Sequence, residues 1–346
     1  MELQSNQLLS IVLLSFNSKG FLEQFLPMLI KFTPVKYEII IVNNGSTDDT
    51  EVFLNEEYPT LRVIKIEKNK GFTNGYVESL KQINSKYYCL LSSDIEVTEN
   101  WTEPIIDLME KDESVAACQP KMKSWHKRNE FEYAGACGGY LDKYGYLFCR
   151  GRIFYSIEED NGQYDETTEV FWASGGCFFV KSDLYHKFGG LDDDFFAHME
   201  EVDLCWRLKN GGYKIMCVPD SEVYHVGGSI ISYGSAPKTY RNYRNSLILL
   251  IKNLPLNQLL WKFPYRLALD GIAFFHLLFR GDVLLAFTIV KSHWHFHIKS
   301  LYWLKKRKAV RKLAVDDAKA KYFPQSIVWK YFIGGFRKFS ELNWKY

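Results

Sequence analysis

The first third of the chain alternates short apolar runs with segments whose apolar residues recur every three or four positions. A strand buried on both faces is apolar throughout, whereas a surface helix is apolar along one stripe, so the runs predict strands and the intervening segments predict helices. Strands are predicted at Leu8–Leu14, Tyr37–Asn44, Leu61–Glu67 and Lys86–Asp94. Helices are predicted at Lys19–Phe32, at Gly71–Asn84 and from Thr47, with Ser46 as a cap. This alternation predicts an α/β fold with a Rossmann-like, mostly parallel sheet flanked by helices.

The remaining two thirds follow a different pattern. Residues 115–152 are rich in Gly and Tyr and predict irregular strands and loops. Further elements are predicted as a kinked strand at Phe171–Val180, a helix at Phe195–Asn210 and a strand at Tyr213–Val218. From Lys238 onward the pattern is typical of long amphipathic helices rich in aromatic and basic residues. We therefore predict two domains, an α/β domain over 1–235 and a helical region over 236–346.

Polar residues collect directly after three of the predicted strands, at Ser15–Asn17, Asn43–Ser46 and Ser92–Glu96. In parallel sheets, ligands bind beyond the carboxyl ends of the strands, so these residues predict a ligand crevice. The chain has no GxGxxG after its first strand and no GxxxxGK[ST] at all. Dinucleotide-binding and P-loop functions therefore lose their main support.

Charge is distributed unevenly along the chain. Residues 236–346 contain 21 Lys or Arg against 5 Asp or Glu, a net charge of +16, while the preceding residues carry −14. This separation indicates an anionic partner for the basic region, and membrane headgroups and nucleic acid both qualify. Mutual neutralisation of the two parts is the alternative. No nucleic-acid partner is expected, because the chain lacks a recognition motif.

The seven cysteines are an odd number, are widely spaced and form no CxxC pair. This pattern argues against a zinc site and against the disulfide framework of a secreted protein. The polar start MELQSNQ shows no signal peptide, and charged residues interrupt the most apolar stretch, Leu267–Val290. We therefore expect a cytoplasmic protein located at the inner face of the cell membrane.

Two carboxylates, Asp94 and Glu96, come just after the fourth predicted strand. An unpaired buried charge is unfavourable, so these side chains are candidates for holding a hard divalent cation that neutralises phosphate. The alternative is that Asp94 caps a following helix. His225, between a strand and two glycines, is a candidate imidazole ligand for the same cation or else a packed histidine.

A second acidic group, Glu200, Glu201 and Asp203, opens a predicted helix. Three carboxylates this close repel one another, which raises the pKa of at least one of them unless a cation is nearby. A carboxylate with a raised pKa is a suitable general base. The alternative is the ordinary preference for acidic residues at a helix N-terminus.

Seven segments of the chain occur together in the order found in a known family. They are IVLLSFN, IIIVNNGSTDDT, NKGFTNGY, LLSSDIEV, FWASGGCFFVK, FGGLDDDFFAHMEEVDLCWRLKNGGYKI and VYHVGG. Over residues 10–229 the chain resembles the family 2 glycosyltransferases, inverting enzymes of GT-A fold, and most closely the rhamnosyltransferase-like members. The resemblance implies transfer of a sugar from a UDP- or dTDP-sugar donor to a saccharide or lipid-linked saccharide in cell-surface polysaccharide assembly.

The resemblance also implies roles for individual residues. Nucleotide-binding roles fall on Ser15, Phe16, Asn17, Asn43, Asn44, Gly71, Asn74 and Ser93. Asp94 would hold Mg or Mn on the donor diphosphate with His225 and Glu96, while Ser92 replaces the first carboxylate of the metal motif. Asn43 replaces the Asp that usually contacts the base.

Glu201 matches the general base of the family, which is usually an Asp, and Glu200 beside it is the alternative base. Acceptor-binding roles are predicted for Trp172, Gly175 and Gly176: the glycines would let substrate approach the backbone, and the indole would stack on a sugar ring or else pack in the core.

The basic, aromatic-rich C-terminal region predicts docking on an anionic membrane surface, with a helical lid or a homo-oligomer contact as alternatives. A second function class is a non-catalytic sugar-nucleotide or glycan-binding protein that retains the fold. This alternative is supported by Ser92, Asn43 and Glu201, which differ from the residues that the family usually has at these positions.

Overall fold

The computed structural model describes residues 7–227, 234–315, 317, 320–344 and 346. The strands are β1 (Gln7–Ser15), β2 (Glu38–Asn43), β3 (Arg62–Lys65), β4 (Ser85–Ser92), β5 (Ile95–Val97), β6 (Val115–Ser124), β7 (Gly139–Leu141), β8 (Leu147–Cys149), β9 (Arg152–Ile153), β10 (Ser156–Ile157), β11 (Thr168–Val170), β12 (Cys177–Lys181) and β13 (Lys214–His225). The helices are α1 (Lys19–Phe32), α2 (Thr50–Glu57), α3 (Phe72–Ser79), α4 (Glu103–Lys111), α5 (Ser182–Lys187), α6 (Glu200–Asn210), α7 (Ala236–Asn253), α8 (Leu256–Phe279), α9 (Val283–His297), α10 (Ser300–Lys312) and α11 (Ile327–Phe332).

The main sheet has the strand order β11-β13-β6-β12-β4-β1-β2-β3, with β5 paired to β13. Strands β1, β2, β3 and β4 are parallel to their neighbours within this group, as the alternating pattern predicted, and β12 runs antiparallel between β4 and β6. Ser15 lies opposite Asn43, and Leu14 lies opposite Ser92. This register brings the polar ends of β1, β2 and β4 to one edge of the sheet.

Several predicted elements differ in their bounds from the structure. The helix expected from Thr47 begins only at Thr50, because Ser46 Oγ instead accepts a hydrogen bond from Asn17 N at 3.0 Å. The strand expected over Phe171–Val180 is reduced to β12. Gly228, in the last motif, lies outside the described residues.

The helix expected from Phe195 begins at Glu200 instead. Phe196, His198 and Met199 have positive φ angles of 67°, 71° and 73°, which an α-helix cannot contain. The acidic pair Glu200 and Glu201 therefore lies at the start of the helix rather than one turn inside it.

The core continues across the predicted domain boundary. Helices flank both faces of the main sheet, and a small antiparallel sheet of β7 to β10 lies beside it. Phe323 and Phe339 pack on Phe148 of this small sheet, with ring centroids 5.6 and 6.2 Å apart. The C-terminal segment therefore shares its apolar interior with the α/β part. All seven cysteines are buried free thiols.

The helices α7 to α10 form a bundle that packs on the loop before α6. Leu247 and Ile248 of α7 are buried with Phe296 of α9, Trp303 of α10 and Phe195 of that loop. None of the described helices is both long enough and apolar enough to cross a membrane.

Candidate active site

A cavity of about 660 Å³ opens at the carboxyl ends of β1 and β4, a volume within the range of small-molecule sites. Residues from the predicted strand ends, from the start of α6 and from α7 line it together. The predicted site residues that line it are Phe16, Asn44, Gly71, Asp94, Trp172, Gly175, Gly176, Glu200, Glu201 and His225.

Several predicted nucleotide-binding residues do not line this cavity. Asn43 Oδ1 accepts a hydrogen bond from Ser46 N at 3.0 Å, and Asn17 Oδ1 accepts one from Thr47 N at 2.7 Å. The residues of this set that do not line the cavity are Ser15, Asn17, Asn43, Asn74 and Ser93. The asparagines Asn17 and Asn43 thus shape the turns that follow β1 and β2.

Asn44, directly after β2, and Gly71, between β3 and α3, form one part of the cavity wall. Asn44 Nδ2 donates to Gly71 O at 3.2 Å, and Asn69 Oδ1 accepts from Gly71 N at 2.8 Å. Gly71 has φ 115°, and a Cβ there would lie 2.7 Å from Phe196 Cδ2. Glycine is therefore required by backbone conformation and by the close approach of Phe196.

Asp94 and His225 meet because β5 and β13 pair. His225 lies opposite Ile95, and Val226 N donates to Asp94 O at 3.1 Å. Asp94 Oδ1 accepts from Ser92 Oγ at 2.7 Å and lies 3.3 Å from His225 Nε2. Asp94 is therefore held at the cavity by Ser92 and His225 and does not cap a helix; the next helix, α4, begins at Glu103.

A second carboxylate, Glu132, supports His225 from the other side of the ring. His225 Nδ1 lies 3.3 Å from Glu132 Oε1. Burial alone would lower the pKa of His225, but Asp94 and Glu132 raise it well above its ordinary value. Sequence reasoning missed Glu132, because it lies in the irregular segment before β7 and no local motif marks it.

These residues fit a divalent cation. A carboxylate oxygen and an imidazole nitrogen form a donor set typical of Mn and related metals, and Mg prefers oxygen ligands. A carboxylate behind the imidazole, as Glu132 is here, is the usual orienting partner of a ligating histidine. Asp94 and His225 would hold the cation, with Glu132 orienting the ring.

Glu96 is not brought to this group. Its Oε2 accepts hydrogen bonds from Trp125 Nε1 at 2.8 Å and from Arg128 at 2.7 Å, and it does not line the cavity. The alternation of β5 explains this difference, since Ile95 and Val97 point into the core while Glu96 points the opposite way.

A run of aspartates, Asp192 to Asp194, brings three carboxylates close enough together to share one cation. Lysines already engage it: Lys252 donates to Asp192 Oδ2 at 2.5 Å, and Lys306 pairs with both Asp192 and Asp194. These lysines have no lone pair to offer a metal while charged, whereas His225 becomes a ligand once a cation displaces its proton. Asp94 with His225 therefore remains the better cation site.

Glu200 and Glu201 occupy the first turn of α6 and line the cavity. The Oε2 atoms of both are buried and make no hydrogen bond within the part of the chain that the structure describes. Burial raises the pKa of both carboxyls, and the charge of Glu201 raises that of Glu200 further. A Cβ at Gly175 would lie 3.5 Å from Glu201 Cδ, an ordinary van der Waals distance, so Gly175 lies directly beside this carboxyl.

The loop that precedes these glutamates is held by α7. Asn245 Nδ2 donates to the carbonyl oxygens of Phe195, Ala197 and His198 at 3.1, 3.0 and 2.7 Å. Backbone with positive φ is unfavourable for residues other than glycine, so such a loop needs support of this kind. The sequence gives no signal for Asn245 beyond a polar residue at a buried position of a helix.

Basic side chains of α7 face the same cavity. Lys238 and Arg241 line it, together with Arg152 of the small sheet. Burial lowers the pKa of Lys238 to about 8, although Glu132 counteracts this shift. The cavity is thus lined by both carboxylates and cations.

Trp172 contributes to the cavity lining but is a core residue. It is 3% exposed, its Nε1 donates to Tyr140 O at 3.1 Å, and its ring fills the space that a side chain at Gly139 would need. Of the two interpretations of Trp172, core packing describes its position, and stacking on a sugar finds no support.

Comparisons with known proteins bear on the family and the fold. The profile of the family described as Glycosyl transferase family 2 matches residues 10–188. An N-acetylglucosaminyl-diphospho-decaprenol L-rhamnosyltransferase from Mycobacterium tuberculosis is 22% identical over 278 residues, covering 76% of this chain and 89% of the relative. An uncharacterized glycosyltransferase from Haemophilus influenzae is 30% identical over 113 residues, 32% of this chain and 35% of the relative.

Two solved structures share the fold. The crystal structure of GalNAc-T7 with UDP, GalNAc and Mn²⁺ matches with a TM-score of 0.52 and 18% identity over 70% of this chain, which spans only 48% of that structure. The mannosyltransferase PcManGT from Pyrobaculum calidifontis, solved with GDP-Man and Mn²⁺, matches with a TM-score of 0.50 and 13% identity, covering 90% of this chain and 86% of that structure. The predicted GT-A fold is confirmed.

Proposed function

The chain belongs to glycosyl transferase family 2, and from that premise we propose that it is a metal-dependent, inverting glycosyltransferase that extends a lipid-linked saccharide. The observation that carries this proposal is one cavity that holds a cation-binding pair, Asp94 and His225, and a buried carboxylate pair, Glu200 and Glu201.

Glu201 is the general base of the proposed reaction. Its carboxylate takes the proton of the acceptor hydroxyl as that oxygen attacks the anomeric carbon, the new glycosidic bond forms, and the bond from that carbon to the donor phosphate breaks. The nucleoside diphosphate leaves from the opposite face, so the configuration inverts. Glu201 is partly exposed to the cavity whereas Glu200 is buried, which favours Glu201 as the residue that reaches the acceptor.

The other side of the cavity would bind the donor. Asn44 and Phe16 lie where the nucleoside is expected, and Asp94 with His225 would hold a divalent cation at the diphosphate. Such a cation, when bound, offsets the negative charge that grows on the leaving group. Lys238 and Arg241 add positive charge to the same space.

The acceptor class is proposed from the mycobacterial relative, whose name specifies a diphospho-decaprenol acceptor and rhamnosyl transfer. A lipid-linked acceptor is supported by the bundle, where exposed apolar residues form a stripe along α9. They are Val283, Leu284, Phe287, Val290, Trp294 and Ile298. Exposed lysines flank this stripe, a pattern typical of helices that lie on an anionic membrane surface. We therefore place the enzyme at the inner face of a membrane.

Turnover of nucleotide sugars tests the proposed activity. Purified protein is incubated with UDP-, dTDP- and GDP-sugars, a sugar-diphospho-lipid acceptor and Mn²⁺ or Mg²⁺, and released nucleoside diphosphate and glycosylated lipid are measured. We expect transfer from one donor class, its loss with EDTA, and its loss in Asp94→Asn. Binding of a sugar nucleotide without any transfer would instead support the non-catalytic alternative.

Vesicle flotation tests the membrane contact. We expect the protein to float with phosphatidylglycerol vesicles at low salt and to be released at high salt, since headgroup attraction is screened. Phe287→Ser and Trp294→Ser should weaken flotation, whereas Val35→Ser, an exposed position outside the bundle, should not. Equal flotation of all three variants would contradict an α9 contact.

A further inference from the structure

A second cavity lies beside the first, between α7 and α9. It has a volume of about 580 Å³. Its lining residues are Phe196, Ala236, Pro237, Tyr240, Arg241, Arg244, Leu284, Phe287, Thr288 and Lys291. Three of these residues are cations, three are aromatic and none is acidic. We call this cavity the α7–α9 groove.

The cations of the α7–α9 groove are held by neutral groups. Arg241 stacks over the ring of Phe196 at 4.7 Å, and Lys291 lies 5.9 Å from the ring centroid of Tyr240. Arg244 donates to the backbone oxygens of Asp194 and Phe195 at 2.6 and 3.2 Å. Burial and the like charge of Arg244 lower the pKa of Arg241. Like charges gathered without a lining carboxylate favour an anion with several oxygens, such as phosphate or diphosphate.

The α7–α9 groove is continuous with the catalytic cavity. Phe196 and Arg241 line both spaces. Phe196 begins the loop that leads directly into Glu200 and Glu201. A molecule that fills the groove therefore has a path, past these two side chains, toward the proposed base.

The α9 side of the groove is apolar apart from Thr288 and Lys291. Leu284 and Phe287 are 72% and 57% exposed, and they belong to the stripe that continues along α9 to Trp294 and Ile298. An anion alone would not need this surface. The combination of a cationic pocket with an apolar track fits an amphiphile whose phosphate joins a hydrocarbon chain.

We propose that the α7–α9 groove binds the diphosphate and the first part of the hydrocarbon chain of a lipid-linked acceptor, while the sugar of that acceptor extends past Arg241 and Phe196 to Glu201. This inference rests on the proposed function, and it adds the location of the acceptor anchor. The donor diphosphate lies at Asp94, so the two diphosphates occupy different walls.

Binding of a short lipid diphosphate tests the groove without any transfer reaction. The probes are farnesyl diphosphate, farnesol and inorganic pyrophosphate, measured against the full chain by isothermal titration calorimetry. We expect farnesyl diphosphate to bind at least about tenfold more tightly than either of the others, because only it engages both sides of the groove. Comparable affinity for pyrophosphate would reduce the groove to a phosphate site and overturn the lipid assignment.

Two variants on α9 separate the contribution of positive charge from that of apolar contact. Lys291→Glu should weaken farnesyl diphosphate and pyrophosphate binding by about tenfold each, because an attractive charge becomes repulsive. Phe287→Ser should weaken farnesyl diphosphate and leave pyrophosphate unchanged. Lys308→Glu, an equally exposed charge reversal on α10 outside the groove, is the matched control and should bind all probes as the unmodified chain does.

Transfer assays distinguish failure of this inference from failure of the proposed function. Lys291→Glu should raise KM for a lipid-diphosphate acceptor by about tenfold and leave KM for the donor and for a neutral alkyl glycoside unchanged. A similar loss with both acceptors, or a raised donor KM, would contradict the groove while transfer itself persists. An unmodified chain that binds farnesyl diphosphate in the groove but transfers no sugar would refute the proposed function alone.

Discussion

Two groups of buried carboxylates lie within a dozen residues of each other and have opposite electrostatics. Glu200 and Glu201 face the catalytic cavity, and burial raises their pKa values. Asp192 and Asp203 face the C-terminal bundle. Although burial acts in the same direction there, Lys252 and other cations lower their pKa values.

The difference lies in what the bundle contributes to each group. Lys252 donates to Asp192 Oδ2 at 2.5 Å and to Asp203 Oδ2 at 2.8 Å, and Arg207 pairs with Asp203 at 2.9 Å. For Glu200 and Glu201 the bundle supplies Asn245, which holds the backbone, and no ion pair to either carboxyl occurs among the described residues. The same helix α7 therefore anchors Asp192 and Asp203, which we call the anchor pair, and gives no cation to Glu200 and Glu201, which we call the cavity pair.

The largest expected effect is on the cavity pair. Glu201→Gln removes the proton acceptor, and we expect kcat/KM to fall by about 10²- to 10⁴-fold, the usual contribution of a general base. The free energy of unfolding should stay equal or rise, because a buried carboxyl is replaced by a neutral amide. Glu200→Gln serves as the comparison, and a greater loss there than in Glu201→Gln would exchange the two roles.

For the pair Asp192 and Asp203, we expect Lys252→Met to lower the free energy of unfolding. Asp192 and Asp203 would lose a shared buried partner, and breaking a buried ion pair costs about 3–5 kcal/mol. Urea denaturation followed by circular dichroism measures the change in the free energy of unfolding. Lys308→Glu is the surface control, and a loss below about 1 kcal/mol in Lys252→Met would show that Lys306 and Arg207 suffice.

The sequence indicates most carboxylates of this comparison but not the residues that contact them. The motif HMEEVD and the end of β4 indicated Glu200, Glu201 and Asp94 as candidates, and the structure brings all three to one cavity. The residues that hold the anchor pair, the loop before α6 and His225 come from distant segments of the chain. They are Lys252, Asn245 and Glu132. Neither periodicity nor composition indicates which distant residue will meet a given carboxylate.

The parallel strands and α1 were predicted well, because their apolar patterns are long and unambiguous. The start of α6 was misplaced because positive φ at Phe196, His198 and Met199 depends on tertiary hydrogen bonds rather than on local preference. Glu96 was misassigned because the two-residue period of β5 could not be read from so short a strand.

A smaller effect is expected where α7 supports the loop. Asn245→Ala removes three hydrogen bonds to backbone oxygens, and we expect the free energy of unfolding to fall by about 2–3 kcal/mol. Because Asn245 acts through the loop that carries Glu201, kcat should fall while KM for the donor changes little. Asn257→Ala, at an exposed position of α8 that does not line the cavity, is the comparison. A fall in the stability of Asn245→Ala with kcat unchanged would leave Asn245 a purely structural role.

The smallest effect concerns pH. A carboxyl whose pKa is higher in the folded chain stabilises the fold below its unfolded pKa, and this contribution is lost as pH rises through the folded value. The cavity pair should therefore make the protein less stable as pH rises above about 4.3, the ordinary pKa of Glu. Thermal denaturation of Glu200→Gln should show a shallower decline.

For Asp192 and Asp203 the dependence of stability on pH has the opposite sign. Asp192 and Asp203 have lowered pKa values, so their stabilisation is present above about pH 3.9, the ordinary Asp value, and is lost as pH falls through the folded values. Lys252→Met should lessen this loss on acidification. Parallel pH profiles for Lys252→Met and Glu200→Gln would contradict the division between the two groups.

The three hydrogen bonds from Asn245 also bear on how such enzymes can be recombined. Exchanging everything after residue 235 with a relative, in order to graft a new acceptor preference, would exchange the support of the base along with the groove. A chimaera that takes its C-terminal helices from a relative should also take the relative's loop that corresponds to Asp192–Glu201. The loop and α7 contact each other through Asn245, so both have to be exchanged together if turnover is to be kept.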